Sequence, residues 1–201
     1  MQEFDEHNAT YADLEAVPED RHLVAELVNG RLVTHPRPTG RHGRVHTRLI
    51  SVLGQPFMES LGGTGGWEII TEPELHFGRN VTVPEIAGWR IERFDQDASP
   101  HPLDPVKITL VPDWVCEILS PSTEGYDRDE KQDIYGGAGV NYLWVVAPVA
   151  QALETYELVA GEWVHRQTYS GDIDVRIPPF DALEFRFSRI WPWSRIAPTA
   201  V

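Results

Sequence analysis

The stretch PDWVCEILSPST, residues 112–123, sets one acid into a run that otherwise reads as protein interior. Trp114, Val115, Cys116, Ile118 and Leu119 have the aromatic, β-branched and apolar character of a strand buried on both faces, where an unpartnered carboxylate is costly. Glu117 therefore needs a partner, and a bound cation is one that offsets the cost of burial. Asp113, four residues back along the same strand, lies about 13 Å away and is a poorer candidate for the same site.

A second acid has the same character. In VTVPEIAGW, residues 81–89, the positions alternating with Val81 and Val83 are Glu85, Ala87 and Trp89, so a carboxylate again shares an apolar face. If the two strands lie close in one sheet, Glu85 and Glu117 converge within ligand distance of a single divalent cation. Taken singly, either acid reads equally well as the partner of an arginine or as a solvated strand end.

Outward from these strands, LVAELVNGRLVTH (23–35) is a hairpin turning at Asn29-Gly30, with Glu26 in its first arm. GRVHTRLISVLGQPF (43–57) is an amphipathic helix: Val45, Leu49, Val52 and Leu53 face inward, while Arg44, Thr47, Arg48 and Ser51 face out. WEIITEPELHF (67–77) and NVTVPEIAGWRI (80–91) read as two strands joined at Gly78 to Asn80, and KITLVPDWVCEILS (107–120) as a third, an antiparallel meander. STEGYDRDEKQDIYGGAGV (122–140) reads as a short polar helix, capped by Ser or Thr and ended by Gly136-Gly137. NYLWVVAP (141–148) is a buried strand, residues 152–170 form a hairpin around Ala160-Gly161, and a last strand falls near ALEFRF (182–187).

Composition sets the outer bounds. A chain of 201 residues, 41% hydrophobic, makes one domain with an ample core, expected over 21–192 with tails at 1–20 and 193–201. The single cysteine, Cys116, allows no intrachain disulfide and looks like core, so a reducing cytoplasm is the expected compartment. No leader or membrane segment is expected, because the start is acidic and the apolar run near YLWVVAPVA is short and broken by proline. Net charge is −14, yet residues 31–58 hold five arginines, three histidines and no acid. That island is either a solvated helix face or a surface for phosphate.

The block from Pro112 to Val146, PDWVCEILSPSTEGYDRDEKQDIYGGAGVNYLWVV, resembles the Uma-two restriction-endonuclease family, a branch of the PD-(D/E)XK nuclease superfamily. It carries that family's E-V-L-S-P-S-T, Y-D-R, K, Y and G-V-x-Y-W elements in order. ELVNGRLV (26–33), RHG (41–43) and VPEIAGWR (83–90) extend the likeness over roughly residues 20–190. The resemblance implies an α+β, restriction-endonuclease-like fold, with a mixed central β-sheet flanked by helices and added N- and C-terminal β-hairpins. It also implies Mg²⁺ or Mn²⁺ held by Glu85 and Glu117, and a nucleic-acid substrate, DNA foremost. The strand lysine usual in the superfamily is absent, since Leu119 stands two places after Glu117; the family resemblance implies that this lysine sits on the following helix, where Lys131 fills the role. Without the resemblance, Lys131 reads as a solvated cation.

Glu26, His42, Asp127 and Tyr135 are the supporting candidates, with Asp127 and Tyr135 one helical turn either side of Lys131 and able to orient it. Arg41, Arg44 and Arg48, with His42, are candidates to face phosphates. The family's Pro-Asp is Pro84-Glu85 here, and the longer side chain is expected to weaken Mg²⁺ binding, with a gain on Glu85→Asp. A homodimer suits a small nuclease cutting duplex DNA. The alternative is a noncatalytic nuclease-fold module that binds nucleic acid or a protein partner. A cupin-like metal enzyme is a third reading, but leaves the Lys131 helix unexplained. GGTGG (62–66) lacks dinucleotide-site spacing and no G-x-S-x-G is present; His42 and His46, four apart on a helix, suit Zn²⁺ by spacing, but no H-E-x-x-H or cysteine cluster accompanies them and they read as exposed.

Overall fold

The computed structural model describes residues 8–18, 23–36, 40–59, 61, 63–93, 101–120 and 129–191. In chain order, helix α1 (Tyr11–Glu15) precedes the hairpin β1 (Leu23–Val28) and β2 (Arg31–Pro36) and helix α2 (Gly40–Leu53). Strands β3 (Trp67–Thr71), β4 (Leu75–Phe77), β5 (Asn80–Thr82), β6 (Ile86–Arg90) and β7 (Trp114–Ile118) follow, then helix α3 (Glu130–Ala138). The chain closes with β8 (Tyr142–Ala147), β9 (Ala152–Val159), β10 (Glu162–Ser170), β11 (Asp174–Val175) and β12 (Phe185–Arg186).

The larger sheet has six strands in the order β10-β9-β8-β7-β6-β3, and a four-stranded sheet runs β2-β1-β5-β4. Strands β7 and β8 pair in parallel, which obliges the chain to cross over between them, and α3 lies in that crossover. Their described neighbours pair antiparallel, so the sheet is mixed, as expected. Asn29 (φ 51°) with Gly30 (φ 78°), and Ala160 (φ 53°) with Gly161 (φ 85°), adopt the left-handed pairs that two-residue hairpin turns require.

The two faces of the large sheet bury separate clusters. Trp114, Cys116 and Ile118 pack with Trp144 and with Val45, Leu49, Val52 and Leu53 of α2 on one side. Phe180 reaches this face from the C-terminal segment. It stands 4.7, 4.8 and 5.5 Å from the rings of Trp67, Trp114 and Trp144, contacts of about 0.5–1.5 kcal/mol each beyond their burial. Val115, Leu119, Leu143 and Val145 pack with Tyr135 of α3 on the other side. In the region expected to be an N-terminal tail, α1 buries Leu14 against Leu27 and Val81.

Three local expectations are corrected. The two long strands of the 67–91 region are each broken, after Thr71 and after Thr82, and each changes sheet at the break: β3 and β6 pair in the large sheet, β4 and β5 in the small one. Pro73 and Pro84 lack the N–H that a continuous ladder needs. The third strand is shorter than its apolar run, because Pro112 keeps residues before Trp114 out of the ladder. Helix α3 does not stop at Gly136-Gly137 but runs through them to Gly139, whose φ of 88° makes the left-handed cap. Gly136 is there for space: a Cβ would lie 2.9 Å from Trp163 Nε1, which donates to the Gln132 carbonyl at 2.8 Å. The proposed Ser/Thr cap at 122–123 lies outside the described residues, and the strand near 182–187 is confined to Phe185–Arg186.

Candidate active site

Each strand break leaves backbone groups that must be satisfied. Where β5 ends, Val83 N–H donates to Glu26 Oε1 at 2.6 Å, so the acid of β1 satisfies a donor left outside the ladder at the break before Pro84. At the neighbouring break Glu72 holds a positive φ of 49°, and its N–H donates to the Glu85 carbonyl at 3.0 Å. A non-glycine residue in this region is strained, and such strain clusters at functional sites. The two breaks therefore lie against each other and bring Glu72 and Glu85 together.

Glu117 is buried near the end of β7. Lys131 and Tyr135, one turn apart on α3, both reach it: Lys131 Nζ stands 2.8 Å from Glu117 Oε1, and the Tyr135 hydroxyl donates to the same oxygen at 2.6 Å. Lys131 Nζ also stands 3.1 Å from Glu26 Oε1. This lysine is only 2% exposed and Glu26 is fully buried, so the solvated reading of Lys131 fails. Tyr135 orients Glu117 and not Lys131, and burial together with the charge of Glu117 pushes its phenol well above the ordinary value, keeping it a donor. Asp127 lies outside the described residues.

Glu85 is not on a strand but in the break before β6, and α2 reaches it. His42 Nε2 is 3.0 Å from Glu85 Oε1, and His46 Nδ1 is 3.7 Å from Oε2. His42 is buried, which corrects both its assignment to solvent and its place among the phosphate-facing residues; His46 is largely buried as well. Arg41, Arg44 and Arg48 are exposed on the other side of the same helix. Burial pushes the His46 imidazole below its ordinary value, against the upward pull of Glu85 and Glu72, and so favours a neutral ring with a free lone pair. Cys116 is core, its thiol raised by burial.

Glu85, Glu117 and Lys131 line one cavity of about 30 Å³, with His35, His42 and Glu72. That space accommodates a water-sized group or two. Asp113 stands apart, accepting from Arg90 N–H and Arg93 at 2.8 Å, a structural bracket for the β6–β7 connection. The acid that sequence reading missed is Glu72. The mirror-image pairs Glu72-Pro73 and Pro84-Glu85, each breaking a strand beside an acid, were the available signal. The two histidines carried a signal too: positions 42, 45, 46, 49 and 53 fall on one helical stripe, and three of them are core.

A mixed sheet with a crossover helix that presents a lysine to a buried glutamate defines a restriction-endonuclease-like α+β protein. The model of the Uma-two (Uma2) family, described as "Putative restriction endonuclease", matches residues 9–188, and the chain belongs to this family. Among solved structures the chain is similar to one described as a "putative nuclease belonging to DUF820" from Anabaena variabilis. The TM-score is 0.72 at 21% identity, over 92% of this chain and 98% of that one, a likeness of fold. No curated protein matches the chain. Among the described residues no helix is long and apolar enough to cross a membrane.

Proposed function

We propose that the chain is a metal-dependent endonuclease that hydrolyses phosphodiester bonds of nucleic acid, with DNA as substrate. The observation that carries this reading is the shared cavity of Glu85, Glu117 and Lys131, which brings two carboxylates and an ammonium to one small space. The donor set fits a divalent cation: acids crowd the cavity, and Glu85 Oε2 is buried with no hydrogen-bond partner. Glu85 and Glu117 would hold Mg²⁺ or Mn²⁺. Such an ion supplies Lewis acidity toward a phosphoryl oxygen and lowers the pKa of bound water.

The chain's own groups do the positioning. Tyr135 and Lys131 fix Glu117 Oε1, and His42 fixes Glu85 Oε1. The Lys131 ammonium, held by Glu26 and Glu117, is the positive charge available to a developing phosphorane. Exposed Arg41, Arg44 and Arg48 on α2 suit the phosphate backbone, and a symmetric dimer would present two such sites to a duplex.

Cleavage of plasmid DNA and of single-stranded RNA, with Mg²⁺, Mn²⁺ or EDTA, tests the reading. Cation-dependent nicking by the wild type, lost in Glu85→Gln with the fold intact by circular dichroism, is the expected result. No cleavage of either substrate with either ion would overturn it in favour of the noncatalytic module.

A further inference from the structure

Among the described residues, His46, Glu72 and Glu85 each place one ligand atom within 4.8 Å of the other two. Two ligands about 2.1 Å from one octahedral ion lie about 3.0 Å apart when adjacent and about 4.2 Å when opposite. The 3.7 Å from His46 Nδ1 to Glu85 Oε2 falls between these limits and is too long for a hydrogen bond. A second observation points to a ligand. Glu85 Oε2 is buried without a hydrogen-bond partner, while the other oxygen of Glu85 is already held by His42. Buried polar atoms are nearly always paired in folded proteins, so this orphan oxygen, facing His46 Nδ1, marks a place where a partner belongs. The chain also accepts strain there, at Glu72.

We propose that His46 and Glu72 join Glu85 as ligands of one cation, and that the imidazole makes the site select a first-row transition dication such as Mn²⁺ over Mg²⁺. The inference rests on the proposed metal dependence and names the ligands and the ion. Carboxylates alone suit Mg²⁺, Ca²⁺ and Mn²⁺ alike, whereas an imidazole nitrogen suits transition ions. Mg²⁺ parts reluctantly with its waters and demands near-ideal octahedral geometry, which one nitrogen and two side chains from separate strand breaks do not offer it. His42 acts as a positioning residue. By holding Oε1 it turns Oε2 toward His46, the geometry a shared ion needs.

Calorimetric titration of the apo protein with MnCl₂ and with MgCl₂ tests this without any nucleic acid. The wild type should bind Mn²⁺ at least about tenfold more tightly than Mg²⁺. His46→Gln should lose roughly tenfold or more in Mn²⁺ affinity with little change for Mg²⁺, and Glu72→Gln should weaken both. Equal binding of the two ions, or an unchanged Mn²⁺ affinity in His46→Gln, would overturn the proposal. Should His46→Gln fail to fold, ¹⁵N-histidine spectra of the wild type with CoCl₂ decide: the largest paramagnetic shift falls on the His46 ring, or the proposal is wrong. The two readings fail separately. Mn²⁺ binding that depends on His46 without cleavage removes the nuclease reading alone, and cleavage with His46-independent binding removes this one alone.

Discussion

Replacing Lys131 by Met removes the ammonium and keeps much of the side chain's bulk. Its Nζ is 3.1 Å from Glu26 Oε1 and 2.8 Å from Glu117 Oε1, so those two oxygens lie within about 5.9 Å of each other. Once the lysine is gone, two buried carboxylates repel at that separation by about 2.8 kcal/mol or more at an effective dielectric near 20. Breaking a buried ion pair by deleting one partner costs about 3–5 kcal/mol, and the same range applies here. A domain of ordinary stability, about 5–15 kcal/mol, survives this at low temperature. Adding Glu26→Gln removes one of the opposed charges and keeps an oxygen for Val83 N–H, so the double variant should recover about 2 kcal/mol or more. Urea denaturation of the wild type, both single variants and the double variant at pH 7 measures all four terms. A Lys131→Met protein within about 1 kcal/mol of the wild type, or a double variant no more stable than it, would refute the buried triad.

Three further outcomes are expected. Glu85→Asp draws the carboxylate back by roughly 1.5 Å, away from His42 and His46, and should lower cation affinity and any cleavage, reversing the gain expected from sequence alone; calorimetry and plasmid nicking check it. Gly137→Ala, with open space around its Cβ, should stabilise α3 by about 0.5–1 kcal/mol, whereas Gly136→Ala meets the Trp163 indole and should destabilise, both read by thermal melting. Replacing Arg44 and Arg48 by Gln should flatten the salt dependence of DNA affinity, by up to about two units of log–log slope.

The parts of this molecule legible in its sequence are those set by local chemistry. Asn29-Gly30 and Ala160-Gly161 announce their turns, the stripe from Val45 to Leu53 announces its helix, and the burial of Glu117 follows from its neighbours. The strand breaks at Pro73 and Pro84 were less legible, since proline also occupies edge strands and the alternation of apolar residues runs straight across both sites. Gly136-Gly137 looked like a stop because its partner Trp163 comes from a distant strand. In the same way Glu26, 105 positions before Lys131 in the numbering, gave no sign of being the lysine's second counter-ion. Tertiary contact decided each of these, and the residues' own propensities did not.

The triad spans both sheets, and this bears on how the chain unfolds. Lys131 is desolvated by the crossover helix, Glu117 belongs to the large sheet, and Glu26 to the small one. Arg31, at the start of β2, adds a further link by pairing with Glu130 of α3. Opening the small sheet alone would take Glu26 away from a buried ammonium and withdraw the partner of Val83 N–H in the same step. Partial opening is thereby penalised relative to complete opening, which is the condition for a single cooperative transition. Amide exchange in β1 and β7 should therefore approach one common free energy, although the two strands share no sheet.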